Sequence, residues 1–201
     1  MKTKFTTILL ATIFSFLGVS NVNAQSQWEQ TSTPPGGSVW AMETIGSNIF
    51  AGTTSGGVYF SDDNGASWIQ RNGAFPDMEV YSLAVNGTDI YAGTGGAFSA
   101  GIYKSSDNGL NWTNITPSSL SMFSNIRCLA VNNTHIYAGT SDEGIYMSSL
   151  SGIDSESWST FNTGLINQNI RSLKIKESMI YAGTYGNGVW ISSTDSPDWN
   201  L

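Results

Sequence analysis

Few side chains in this sequence have the type and spacing for chemistry, and most of those lie in turns. The single histidine, His135, closes the turn Asn132-Asn133-Thr134-His135, with no serine or cysteine motif beside it to be activated as a nucleophile. The single cysteine, Cys128, alternates with apolar neighbours and reads as a small buried residue. One Cys builds no internal disulfide, and one His with one Cys leaves no thiolate-imidazole metal cluster, so no metal or cofactor is expected. Asp62-Asp63-Asn64-Gly65 opens like a calcium loop, but the twelfth residue from Asp62 is Gly73, where such a loop needs a bidentate Glu. Glycoside hydrolysis asks for two carboxylates facing one sugar, roughly 5 to 10 Å apart. Asp62, Asp89, Asp142, Glu143, Asp154 and Glu156 fall in turn-like stretches, and Glu43 stands within an alternating apolar segment.

The elements that would position these residues are set by repetition. Ala-Gly-Thr begins at Ala51, Ala92, Ala138 and Ala182, with spacings of 41, 46 and 44 residues. An apolar-aromatic pair precedes each copy, as in Ile90-Tyr91, and Gly-Val/Ile-Tyr/Trp follows, as in Gly101-Ile102-Tyr103. About ten residues further on stands a tryptophan: Trp68, Trp112, Trp158 and Trp199. Upstream lies an alternating run such as Val80-Tyr81-Ser82-Leu83-Ala84-Val85. Each repeat therefore reads as four short strands joined by Gly, Asn, Asp and Ser turns. Four strands per period of this length predict an all-β protein, a β-propeller of four-stranded antiparallel blades. The repeats span about residues 38–73, 79–117, 125–163 and 169–201.

Two repeats carry a further mark. Ser61-Asp62-Asp63-Asn64-Gly65-Ala66-Ser67-Trp68 and Ser105-Ser106-Asp107-Asn108-Gly109-Leu110-Asn111-Trp112 both read Ser-x-Asp-x-Gly-x-x-Trp. The pattern resembles the Asp-box, or bacterial-neuraminidase repeat, of sialidases, sortilin-like propellers, xyloglucanase-type glycoside hydrolases and photosystem II assembly factors. In the third and fourth repeats Trp158 and Trp199 persist without the box spacing. Ser61, Asp63, Gly65, Trp68 and their counterparts Ser105, Asp107, Gly109, Trp112 are expected to be structural. The Asp accepts from turn N–H groups that have left the ladder, the Gly permits a positive φ, and the Trp wedges under the turn against the next blade. A sialidase likeness would imply an arginine triad, a Tyr-Glu nucleophile pair and an acid Asp. Only Arg71, Arg127 and Arg171 are present, and Arg71 follows a box on the outer strand.

Trp40, Tyr81, Arg127 and Arg171 share one place, the second residue of the first strand in each repeat. Propellers recruit ligands at the channel mouth, so two aromatics and two guanidiniums there could stack on sugars or grip carboxylates. The same positions also suit interblade packing with arginine heads reaching solvent. Glu43 stands where the other repeats have Ala84, Ala130 and Lys174, facing the central channel. These residues are the binding candidates and none is assigned as catalytic. The expectation is an exported, non-catalytic scaffold for a protein or glycan, the alternative being a glycoside hydrolase fragment or divergent member.

The 201 residues contain 8 Lys and Arg against 15 Asp and Glu, for a net charge of −7. Charged residues make up 11%, against about 25% in ordinary globular proteins, so the surface is built from Ser, Thr, Asn and Gly. Three arginines give no basic patch for nucleic acid. Lys2 and Lys4 precede an apolar run, Ile8 to Val19, and Val22-Asn23-Ala24 forms a small-residue cleavage site. Residues 1–24 therefore read as a signal peptide, leaving 25–201 secreted, periplasmic or at the cell surface, with no later membrane span. Residues 27–33, led by Trp28, read as a lone outer strand. Three arrangements stay open: a four-blade ring closed by that strand, part of a longer propeller, or self-association of two chains in one ring.

Overall fold

A computed structural model describes residues 30–73, 79–96 and 100–200. The expected signal segment, Trp28 and residues 27–29 of the expected lone strand lie outside that set. Residues 30–33 carry no strand pairing.

The described residues form four antiparallel meanders. The first contains β1 (Val39–Ile45), β2 (Asn48–Thr53), β3 (Val58–Ser61) and β4 (Ile69–Gln70). The second contains β5 (Glu79–Asn86), β6 (Asp89–Gly95), β7 (Ile102–Ser105) and β8 (Thr113–Asn114). The third has β9 (Ile126–Val131), β10 (His135–Thr140), β11 (Ile145–Ser149) and β12 (Trp158–Thr160), and the fourth β13 (Ile170–Lys176), β14 (Met179–Thr184) and β15 (Val189–Ser193). Where the repeats predict a fourth strand in the last blade, β15 has only an isolated bridge, Ile191 to Asn200. The first and second strands of each blade meet at tight turns. Gly46 and Gly87 supply the positive φ of +61° in two of them, and Glu177 adopts +57° at the same place in the fourth.

The blades pack face to face through their first strands, β1 on β5, β5 on β9 and β9 on β13. Each residue of Ala-Gly-Thr has a separate task in this packing. Ala51, Ala92, Ala138 and Ala182 are buried in the sheets. The threonine hydroxyl closes the next turn, as in Thr53 Oγ1 to the Gly57 carbonyl at 2.9 Å and Thr140 Oγ1 to that of Gly144 at 2.9 Å. The glycine leaves a hole for the next blade. A Cβ on Gly52 would lie 2.6 Å from Val80, one on Gly93 2.5 Å from Ile126, and one on Gly139 2.6 Å from Ile170. Those three apolar knobs are fully buried. No comparable packing joins β13 to β1 among the described residues, so the four blades form an arc with two free faces.

Candidate binding rim

The outer rim carries the two Ser-x-Asp-x-Gly-x-x-Trp turns. Ser61 Oγ donates to Asp63 at 2.8 Å and accepts the Gly65 N–H at 2.9 Å; Asp63 then accepts the Ser67 N–H at 2.9 Å and its hydroxyl at 2.6 Å. Ser105, Asp107, Gly109 and Asn111 repeat this circuit bond for bond. Asn64 and Asn108 adopt φ near +58° and Gly65 and Gly109 above +80°, so the chain reverses within the circuit. Hydrogen bonds from Ser67, then from Ser61, hold the Asp63 carboxyl at about 2; those from Asn111 and Ser105 do the same for Asp107. Both carboxylates are committed to their own turns.

The tryptophan corrects one expectation. Trp112 Nε1 donates at 2.8 Å to the Arg71 carbonyl, on the outer strand of the preceding blade and not the next one. Trp158 reaches back to Ile115 at 2.7 Å and Trp199 to Phe161 at 2.8 Å. The turn lies over the blade before it, so the indole that follows the turn faces backwards. Among the described residues, Trp68 Nε1 is buried without a hydrogen-bond partner. Arg71 also joins two blades: its guanidinium lies 3.8 Å from the Phe60 ring centroid and donates to the Asn108 carbonyl at 3.1 Å.

The inner rim is built differently. Trp40, Tyr81, Arg127 and Arg171 are each skipped by the ladder between the first and second strands, one bulge per blade. A bulge re-aims the extra side chain out of the pleat, and four equivalent bulges aim these four at one rim. Trp40 stacks on Tyr81 with centroids 4.3 Å apart and planes at 27°. Arg127 covers Tyr81 at 4.4 Å from the centroid, so one stack crosses two interblade seams. Arg171 lies instead over Tyr185 of its own blade, at 4.8 Å. Trp40 is 48% exposed and Tyr185 67%. Among the described residues, Arg127 Nε is buried with no hydrogen-bond partner. Tyr81 Oη donates to the Glu79 carboxylate. Burial, together with that carboxylate, raises the Tyr81 pKa against the opposing charge of Arg127.

Glu43 lines a central cavity of about 290 Å³ with Ala84, Ala130 and Lys174 from the other three first strands. The residue at its register in the last blade is thus a cation, not a second carboxylate. Two acids of the third blade are tied locally. Asp142 accepts from the Ser124 and Ser141 hydroxyls, and Glu143 from the Ser121 N–H and the Tyr146 hydroxyl. The Cys128 thiol is buried, and burial pushes it up to about 12. His135 stays at the turn, its N–H held by Asn132 at 2.7 Å. Among the described residues, no three His, Cys, Asp or Glu side chains gather as a metal site would require.

Glu79 and Tyr185 complete the rim and are absent from the sequence-level candidates. Glu79 reaches Tyr81 across the bulge, where regular strand alternation no longer says which side a residue takes, so the sequence pattern does not single it out. Tyr185 occupies the place of Thr54, Gly95 and Ser141, and the repeat pattern gives no hint of an aromatic there.

No protein-family model matches the chain, and no curated protein matches it. Solved structures do. The computationally designed Ika4 protein aligns with a TM-score of 0.61 at 12% identity, over 82% of this chain and 95% of its own. YCF48 from Cyanidioschyzon merolae gives 0.62 at 16%, over 86% of this chain and 58% of its own; a structure of YCF48 bound to D1 peptide gives 0.65 at 18%. The GH74 enzyme of Niastella koreensis gives 0.65 at 21%, over 85% of this chain and 30% of its own. The chain thus spans little more than half of YCF48 and less than a third of the GH74 enzyme. At these identities the likeness is one of architecture, and that architecture is the β-propeller.

Proposed function

We propose that this chain is an exported, non-catalytic propeller that serves as a binding or assembly scaffold, holding a protein or glycan across Trp40, Tyr81 and Arg127. The observation that carries this reading is the stack itself. Three equivalent bulges on consecutive blades present an indole, a phenol ring and a guanidinium in one line, with the indole half exposed. Flat aromatic faces suit sugar C–H surfaces or apolar side chains, and an arginine at the end of the row suits a carboxylate. YCF48, of similar architecture, is known bound to a D1 peptide, which supports the protein arm of the proposal. The similar GH74 enzyme favours the glycan arm. A hydrolytic role fits less well, because the carboxylate in the central cavity shares it with Lys174. The Ser-x-Asp-x-Gly-x-x-Trp turns are read as Asp-boxes of structural use, and residues 1–24 as the export signal.

The test is a panel of immobilised acidic peptides and uronic-acid oligosaccharides, probed with wild type, Trp40→Ala and Arg127→Ala. Binding by wild type that both substitutions weaken about tenfold or more, with melts unchanged, supports the proposal. Binding indifferent to both, or no binding on the panel, counts against it.

A further inference from the structure

The three interblade seams use one repeated device, and its two halves each occur once more without the other. Val80, Ile126 and Ile170 enter the holes left by Gly52, Gly93 and Gly139 of the preceding blade. At the same register in the first blade stands Val39, paired with Thr53 as Val80 is with Thr94, yet it is 39% exposed. Gly183, the equivalent hole in the fourth blade, has only Ser172 of its own sheet close to it.

One further half-seam accompanies this pair. Residues 30–33 lie against the first box turn as an outer strand of a preceding blade would. Thr31 touches the position of a Gly65 Cβ at 3.2 Å, as Arg71 does for Gly109, and Ser32 Oγ donates to the Gly65 carbonyl at 3.1 Å. The first blade is shaped for a predecessor and the fourth for a successor.

We propose that two copies of this chain associate head to tail, Val39 of each entering the Gly183 hole of the other, so that two four-blade arcs close one ring. Within one chain the two faces do not meet, and a second copy offers the missing halves with the chemistry of the three seams already formed. A head-to-tail contact repeats until the rotation closes, and two arcs of four blades give eight, within the range propellers use. Residues 30–33 of each copy then lie at the outer edge of the other's fourth blade. The rim stack is extended as well, bringing Trp40 of one copy beside Arg171 and Tyr185 of the next. The pairing rests on the blade seams and stands independently of the ligand proposed above.

Light scattering after size exclusion on the full chain tests this. Wild type is expected at twice the chain mass. Gly183→Ala fills the hole with a methyl group, and Val39→Asp puts a charge on the knob; each is expected at single-chain mass. Both are expected to retain a cooperative melt, because neither residue belongs to the three seams within the chain and the atom a methyl on Gly183 would meet, Ser172 Oγ, is a side-chain hydroxyl that can rotate away. Mixing the two variants leaves one intact seam and is expected to restore part of the double-mass species. A single-chain wild type, an assembly larger than two, or a dimer indifferent to both substitutions overturns the proposal.

Discussion

The outer and inner rims are made from the same repeat and end in opposite states. On the outer rim, Ser61, Asp63 and Ser67, like Ser105, Asp107 and Asn111, spend their polar groups on one another and on turn N–H groups. On the inner rim, Trp40 keeps half its surface in solvent, and Arg127 keeps a buried Nε–H with no acceptor. The most recognisable motif is thus the least available for a ligand. A turn that must satisfy several stranded N–H groups ties most of its carboxylate's acceptor sites to itself. The row that does remain available has no motif, only a shared bulge.

The contrast is sharpest in stability. Trp112→Ala removes a buried indole and is expected to cost about 4 kcal/mol in urea unfolding. Trp40→Ala, at the half-exposed end of a stack, is expected to cost about 1 kcal/mol or less. Similar losses would erase the distinction between the rims.

Acid unfolding comes next in size. The Asp63 and Asp107 carboxyls lie near 2, below the ordinary 3.8, so they bind protons less readily folded than unfolded. Their contribution is complete above about pH 4 and is lost as the pH falls through 2. A double Asp63→Asn/Asp107→Asn variant is expected to melt lower at pH 7, with the difference from wild type shrinking as the pH drops from 4 to 2. An unchanged difference across that range would show that the carboxylates stabilise nothing.

Smaller still is a comparison between two tryptophans. Trp112→Phe gives up the bond to the Arg71 carbonyl and is expected to cost about 1 kcal/mol more than Trp68→Phe, whose Nε1 has no partner to lose. The smallest effect is expected at Glu43. Facing a cavity and committed to no box, Glu43→Gln should leave unfolding within about 0.5 kcal/mol of wild type.

Much of this was legible in the sequence because repetition turns weak local signals into strong ones. The four-strand period, the innermost place of the alternating strand and the shared position of Trp40, Tyr81, Arg127 and Arg171 all follow from aligning the copies. The bulge at that position does not, since a ladder skip leaves no mark on apolar alternation. The direction of the indoles was misread for a related reason: a sequence orders the blades but does not say which neighbour a turn leans on. Ala-Gly-Thr stands out in the sequence as a landmark, but its use does not. Only the packing shows that its glycine receives the next blade's valine or isoleucine. Tyr185 has no counterpart in the other repeats, so alignment could not suggest it.

The claim that the inner rim binds while the outer rim only folds the turn is tested most directly by measuring both properties on both rims. Wild type, Trp40→Ala/Arg127→Ala and Asp63→Asn/Asp107→Asn are compared on the peptide and oligosaccharide panel, each with its melting temperature. The account predicts that the rim variant loses binding at an unchanged melt, while the box variant melts lower but binds as wild type below its transition. A box variant that loses binding while fully folded, or a rim variant that keeps it, would contradict the account.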